Sequence, residues 1–201
     1  GKTAIAEGLA QRILAGQVPP PLREYKEVWA LNVGAILAGT MYRGMFEERI
    51  SELLSELLAR KGQAVLFVDE LHTLVGAGKS EGSNVDAANL LKPLLAKGMA
   101  CVGATTEEEY NIVKQDWAFE RRFQVVRLEE PSLSATVDIL SGLAPLLEQH
   151  HGATIDPAAI QAAVQLSHAH IRHRYLPDKA IDVLDEACAA AAADGATVVG
   201  A

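Results

Sequence analysis

The chain has 201 residues, 49% of them apolar and 22% charged, an ordinary folded composition with room for one large domain or two smaller ones. Eighteen Lys and Arg against 26 Asp and Glu leave a net charge of −8, so no overall positive field favours nucleic acid or anionic lipid, and neither is expected as a partner. Cys101 and Cys188 cannot build a disulfide framework, and no apolar run approaches the roughly 20 residues that cross a bilayer; a reducing, cytoplasmic setting is expected.

Gly1-Lys2-Thr3 runs straight into a segment where Ile5, Leu9 and Ile13 are spaced as one apolar helix face. Short apolar runs at 28–33, 64–68, 99–104 and 123–128 predict strands, the first three nearly continuous and so expected to be buried on both faces. Helical patterns at 46–61, 84–97 and 106–119 alternate with them, which implies an α/β layer sandwich around a parallel sheet. Between the first strand and the first of these helices lies a glycine-bracketed loop, Gly39 to Phe46.

After Glu130-Pro131-Ser132 the pattern becomes helical only, over 134–150, 157–172 and 177–193, with Pro131 as punctuation. Pro157 and Pro177 are expected in the first turns of their helices, and Asp156 is expected to cap the second of the three. The expected division is therefore an α/β domain over 1–130, a small all-α domain over 131–193, and a tail, 194–201, that frays.

Gly-Lys-Thr at a helix start is how the phosphate-binding loop G-x-x-x-x-G-K-[ST] ends; Lys2 could meet the β and γ phosphates and Thr3 a magnesium ion. Alone, such a tripeptide is most often an ordinary helix start. Its partner is Val65-Leu66-Phe67-Val68-Asp69-Glu70, an apolar strand that delivers two acids at its carboxyl end, where open α/β sheets place ligands. Asp69 suits Mg²⁺, and Glu70 suits the water that attacks a γ-phosphate.

Other segments stay ambiguous on residues alone. Thr105 and Thr106 could present a hydroxyl to the γ-phosphate, but Thr106 with Glu109 is also a capping pattern, and the cap is favoured. Arg121 and Arg122 could reach a neighbouring subunit's phosphate, or could simply sit at a helix C-terminus, which unaided is the better reading. Tyr42, with Met41 and Met45, could grip an unfolded chain or tuck back onto the domain. His168, His170 and His173 read as a solvated face, with only His170 and His173 sharing a helix side.

Taken in order, Gly1-Lys2-Thr3, the loop Ala38 to Arg49, Val68-Asp69-Glu70-Leu71-His72-Thr73 through Gly78, Asp86 to Pro93, Gly103-Ala104-Thr105-Thr106, Glu120-Arg121-Arg122-Phe123 and Leu176 to Asp182 strongly resemble the Clp-type AAA+ ATPases, and among them the first nucleotide-binding module of double-ring members. The resemblance implies Walker A residues Gly1, Lys2 and Thr3, Walker B residues Asp69 and Glu70, a first sensor at Thr106, arginine fingers at Arg121 or Arg122, and nucleotide contact at Pro177. It implies a substrate-gripping pore loop at Tyr42, Arg43 and Gly44. ATP and Mg²⁺ are the implied cofactors. The implied partners are further copies in a homohexamer, unfolded or aggregated protein, and a peptidase or co-chaperone.

The activity so implied is ATP-driven unfolding or disaggregation of protein; the alternative is a nucleotide-binding assembly or regulatory module with little hydrolysis, against which Glu70 argues. Met41 and Met45 depart from the family's charged loop residues, and a Gly-Ala-Arg second sensor is absent; Lys179 is given no catalytic role. The glycine-rich part of Walker A and its strand are not in this sequence, so the chain is expected to be cut from something longer. By the family's fold that strand is central, and its loss is expected to leave the 201 residues unstable and weak in nucleotide binding.

Overall fold

A computed structural model describes residues 1–38, 43–75 and 87–200, the side chains at 37, 38, 43, 44, 46 and 47 excepted. The chain divides into two compact units, Lys2–Val126 and Arg127–Ala201, the second grouped with Gly1.

The first unit is built on three parallel strands, β1 (Glu27–Leu31), β2 (Ala64–Val68) and β3 (Cys101–Gly103), in the order β1-β2-β3. Leu31 pairs with Val68, and Val68 with Gly103, so the three strands end level at their carboxyl ends. All five residues of β2 are buried. Side chains alternate along a strand, and here both faces are covered. Ala64, Leu66 and Val68 join a core with Ile50, Leu57, Leu91 and Phe119, whereas Val65 and Phe67 meet Ile13 and Ala6 of α1 (Lys2–Leu14). That is why β2 reads as an unbroken apolar run. Helices α3 (Arg43–Ala59) and α4 (Ala87–Ala96) supply much of the larger core, and a short α2 (Val33–Ala38), not anticipated in the sequence, follows β1.

Several expectations are corrected. The flanking strands are not buried on both faces: in β1 only Leu31 is fully buried, and Val102 of β3 is 37% exposed; among the described residues each has a ladder partner on one side only. Residues 123–128 form no strand. Extended backbone becomes a strand only where another strand receives its N–H and C=O groups, and among the described residues none does; Val125, Val126 and Leu128 are exposed. The packed face of α1 holds Leu9 and Ile13 as expected, but Ala6 completes it in place of Ile5, which is exposed.

The helix expected over 106–119 is broken into α5 (Tyr110–Lys114) and α6 (Trp117–Glu120). Asp116 leaves the helical region at φ −106°, ψ 81°, and its carboxylate caps α6 by accepting the Phe119 N–H. A short acid that bonds nearby amides competes with helix continuation, and here it wins. Arg43 and Gly44, read as loop, open α3, and residues 39–42 lie outside the described part.

The second unit packs α7 (Leu133–His151), α8 (Pro157–His170) and α9 (Asp178–Ala193) around Leu140, Ile160, Val164, Leu184 and Cys188. Asp156 caps α8, accepting the Ala158 N–H at 2.8 Å, with Pro157 at its first position. Pro177 stands at the N-cap of α9 rather than within its first turn, and His173 lies beyond the end of α8. The unit is not purely helical. Gly195, at φ +72°, turns the chain after α9, and Val198–Val199 (β5) then pairs in parallel with Thr154–Ile155 (β4). Val199 is buried, so the segment expected to fray is stitched into the core instead. Lys179 is buried too, donating to the Ile171 carbonyl at 3.0 Å, a bond that holds the α8–α9 connection.

Candidate nucleotide-binding site

Two segments far apart in sequence meet at the carboxyl end of the sheet. The Thr3 hydroxyl, in the first turn of α1, donates to Asp69 Oδ2 at 2.8 Å, just past the end of β2. Beside them the Thr106 hydroxyl donates to Glu109 Oε2 at 2.7 Å and accepts the Glu109 N–H at 3.2 Å. Glu109's carboxyl is held below the usual range, first by that Thr106 hydrogen bond, with smaller electrostatic contributions from His72 and Lys2. Lys2 is thus close enough to influence Glu109, and the start of α1, the end of β2 and the turn after β3 form one neighbourhood. A helix N-terminus, a lysine and a hydroxyl suit a polyphosphate.

The local backbone keeps these groups in place. Glu70 sits at φ 54°, ψ 50°, the one non-glycine residue with positive φ among those described, and its N–H is accepted by Asp69 Oδ1 at 3.0 Å. Such a conformation costs on the order of 1 kcal/mol or more and persists only where neighbours enforce it. The enforcement is visible in the 3-10 turn Leu71–Leu74 that follows: Leu71 N–H donates to the Ala104 carbonyl, and Ala104 N–H to the Val68 carbonyl. Gly103 makes room for it, since a Cβ there would lie 2.5 Å from Leu71 Cδ2.

The remaining residues singled out from sequence are more scattered. Arg121 is exposed and stacks on the face of exposed Trp117, 4.5 Å from the ring centroid. Arg122 turns the other way: its Nη1 donates to the Ala118 carbonyl, and its buried Nε has no hydrogen-bond partner among the described residues. The pair, equivalent in sequence, is therefore divided. Tyr42 lies outside the described residues, and only the backbone of Arg43 and Gly44 is described. Gly1 directly precedes α1, and Pro177 belongs to the second unit.

Sequence reasoning passed over His72. Its side chain is 13% exposed, with Nε2 3.5 Å from Glu70 Oε2, and Nδ1 3.1 Å from Thr105 Oγ1 and 3.5 Å from Glu109 Oε2. Its signal in the sequence is a histidine two positions beyond the acids that follow β2; the histidines at 168, 170 and 173, read as a solvated face, are exposed. Glu70, His72 and Glu109 are close enough to be metal ligands, but the imidazole turns Nε2 toward Glu70 and Nδ1 toward Thr105 and Glu109, so no single ring nitrogen faces both acids. The hard oxygens of Thr3 and Asp69 are the donors that fit Mg²⁺.

Residues 1–128 match the model of the ATPase family associated with various cellular activities (AAA), and residues 132–199 that of the AAA lid domain. The chain belongs to the AAA ATPase family. It is 57% identical over 189 residues to the chaperone protein ClpB of Pseudomonas putida and 53% identical over 189 to that of Clostridium perfringens, covering 93% of this chain and 22% of each relative. The chain thus spans about a fifth of the length of these relatives. Among solved structures, it resembles a closed state of Hsp104 with ATPγS and FITC-casein at a TM-score of 0.87 and 45% identity, over 100% of this chain and 34% of that one. The Hsp104–ADP complex of Saccharomyces cerevisiae matches at 0.87 and 46%, over 99% and 34%. The fold of this AAA chain is therefore a parallel-sheet domain followed by a helical lid domain, as in Clp-type members.

Proposed function

We propose that this chain is an ATP-hydrolysing module of a Clp-type protein unfoldase or disaggregase, working as a homohexamer on unfolded or aggregated protein. The observation that carries the reading is the Thr3–Asp69 hydrogen bond, which joins the helix-start and strand-end motifs at one sheet end. Support for the substrate class comes from likeness to ClpB and to Hsp104 bound to casein. On this reading Lys2 and the amide end of α1 bind the phosphates, while Thr3 and Asp69 hold Mg²⁺, which when bound offsets phosphate charge. Glu70 orients water and accepts its proton. Thr106, already tied into its turn by Glu109, reports on the γ-phosphate. Arg121, exposed and propped on Trp117, is the better placed of the two arginines to reach a neighbouring copy. Tyr42, Arg43 and Gly44 form the substrate-gripping loop, Pro177 contacts nucleotide, and a peptidase or co-chaperone is a further partner.

The test is Glu70→Gln in the assembled protein. Loss of a general base lowers turnover by about 100-fold or more, so ATP hydrolysis falls by that factor while nucleotide binding and assembly persist. Undiminished hydrolysis refutes the assignment and favours a non-hydrolysing assembly module.

A further inference from the structure

A general base must be oriented as well as ionised, and among the described residues the group that faces the Glu70 carboxylate is an imidazole. The Glu70 side chain is 52% exposed at a sheet end, where an unrestrained glutamate samples several rotamers. The imidazole is that of His72, packed to 13% exposure two residues on, in the 3-10 turn pinned to Ala104. The ring is bifunctional. With the proton on Nε2, the imidazole donates toward the Glu70 carboxylate, 3.5 Å away, while Nδ1 accepts from the Thr105 hydroxyl at 3.1 Å. The Nε2 contact is loose, as such contacts often are before substrate closes the site. The link to the turn therefore runs through the Thr105 hydroxyl, and the next residue, Thr106, closes that turn by donating to Glu109.

We propose that His72 is a positioning residue that holds the Glu70 carboxylate and couples it to the Thr105–Glu109 turn. The inference rests on the reading of Glu70 as the group that activates water. Displacement of the Thr105–Glu109 turn then re-aims Glu70 through one imidazole, so the γ-phosphate-sensing turn and the base act together. The logic is that of a base oriented by a third group.

The experiment compares His72→Ala, His72→Gln and Glu70→Gln, singly and combined, in the full assembled protein. His72→Ala lowers kcat for ATP about 10-fold, the scale of losing an orienting partner, with KM and affinity for a non-hydrolysable ATP analogue within about twofold. His72→Gln, whose amide can still donate toward Glu70, recovers part of kcat. Adding His72→Ala to Glu70→Gln gives no further loss, because the orienting group has nothing left to orient. Wild-type kcat in His72→Ala, or a loss that multiplies with that of Glu70→Gln, overturns the proposal alone. Weakened analogue binding in both His72 variants, matching the loss of turnover, marks a structural role and also overturns it. Retained turnover in Glu70→Gln instead overturns the reading of Glu70 on which the proposal stands.

Discussion

Asp116 has two tasks that substitution can separate. Its carboxylate caps α6 through the Phe119 N–H at 3.0 Å and accepts from Lys92 Nζ at 2.5 Å, and both partners of the ion pair have side chains only 19% exposed. Lys92 also donates to Asn89 Oδ1 at 2.6 Å, which fixes the ammonium against α4. Asn is as good an N-cap as Asp, so Asp116→Asn keeps the cap and removes the charge. Breaking a fully buried pair costs about 3 to 5 kcal/mol and an exposed one under about 1, so a pair at this depth is expected to cost about 2. Asp116→Ala adds the loss of the cap, about 1 kcal/mol, for a total of about 3. Lys92→Met with Asp116→Asn leaves no unpaired charge and should cost less than the two single changes added. Equilibrium urea unfolding followed by tryptophan fluorescence measures this, with Trp117 directly beside the site. Equal losses for Asn and Ala refute the cap, and no loss for Asn refutes the pair. Because α6 also bears Trp117, on which Arg121 rests, the Ala variant should lose more ATP turnover in the assembled protein than the Asn variant.

Two further outcomes follow from the packing. Gly103→Ala drives a Cβ to within 2.5 Å of Leu71 Cδ2, and Leu71 is only 4% exposed, so it cannot swing aside; overpacking should cost about 1 to 3 kcal/mol, and an unchanged unfolding midpoint refutes this. The thiol of Cys101, a half-buried residue of β3, is pushed up to about 12 by burial, so near neutral pH very little of it is thiolate. Iodoacetamide should label Cys101 far more slowly in the folded protein than in urea, and equal rates refute that burial.

The parts of this molecule legible in its sequence are those where one segment contains its own cause. β2 is five apolar residues because both its faces are covered, and the cap on α8 needs only Asp156 and the amide two residues away. Residues 123–128 show the limit: their apolar, β-branched content is real, but a strand is a property of a pair, and no local pattern reveals whether a partner stands alongside. The same holds in reverse for Val198–Val199, too short and too near a glycine to read as structure, yet ordered by Thr154–Ile155 more than 40 residues upstream. At the site, the acids of β2 were legible because strand ends are where such sheets place ligands, whereas His72 was not, since its meaning lies in Thr105 and Glu109, which arrive from a different strand's turn. Arg121 and Arg122 make the point most sharply. Adjacent and chemically identical, they are divided only by a preceding indole that one can stack on and a carbonyl four residues back that the other can reach. A motif can therefore name the pair, but only the packing of α6 selects between its members.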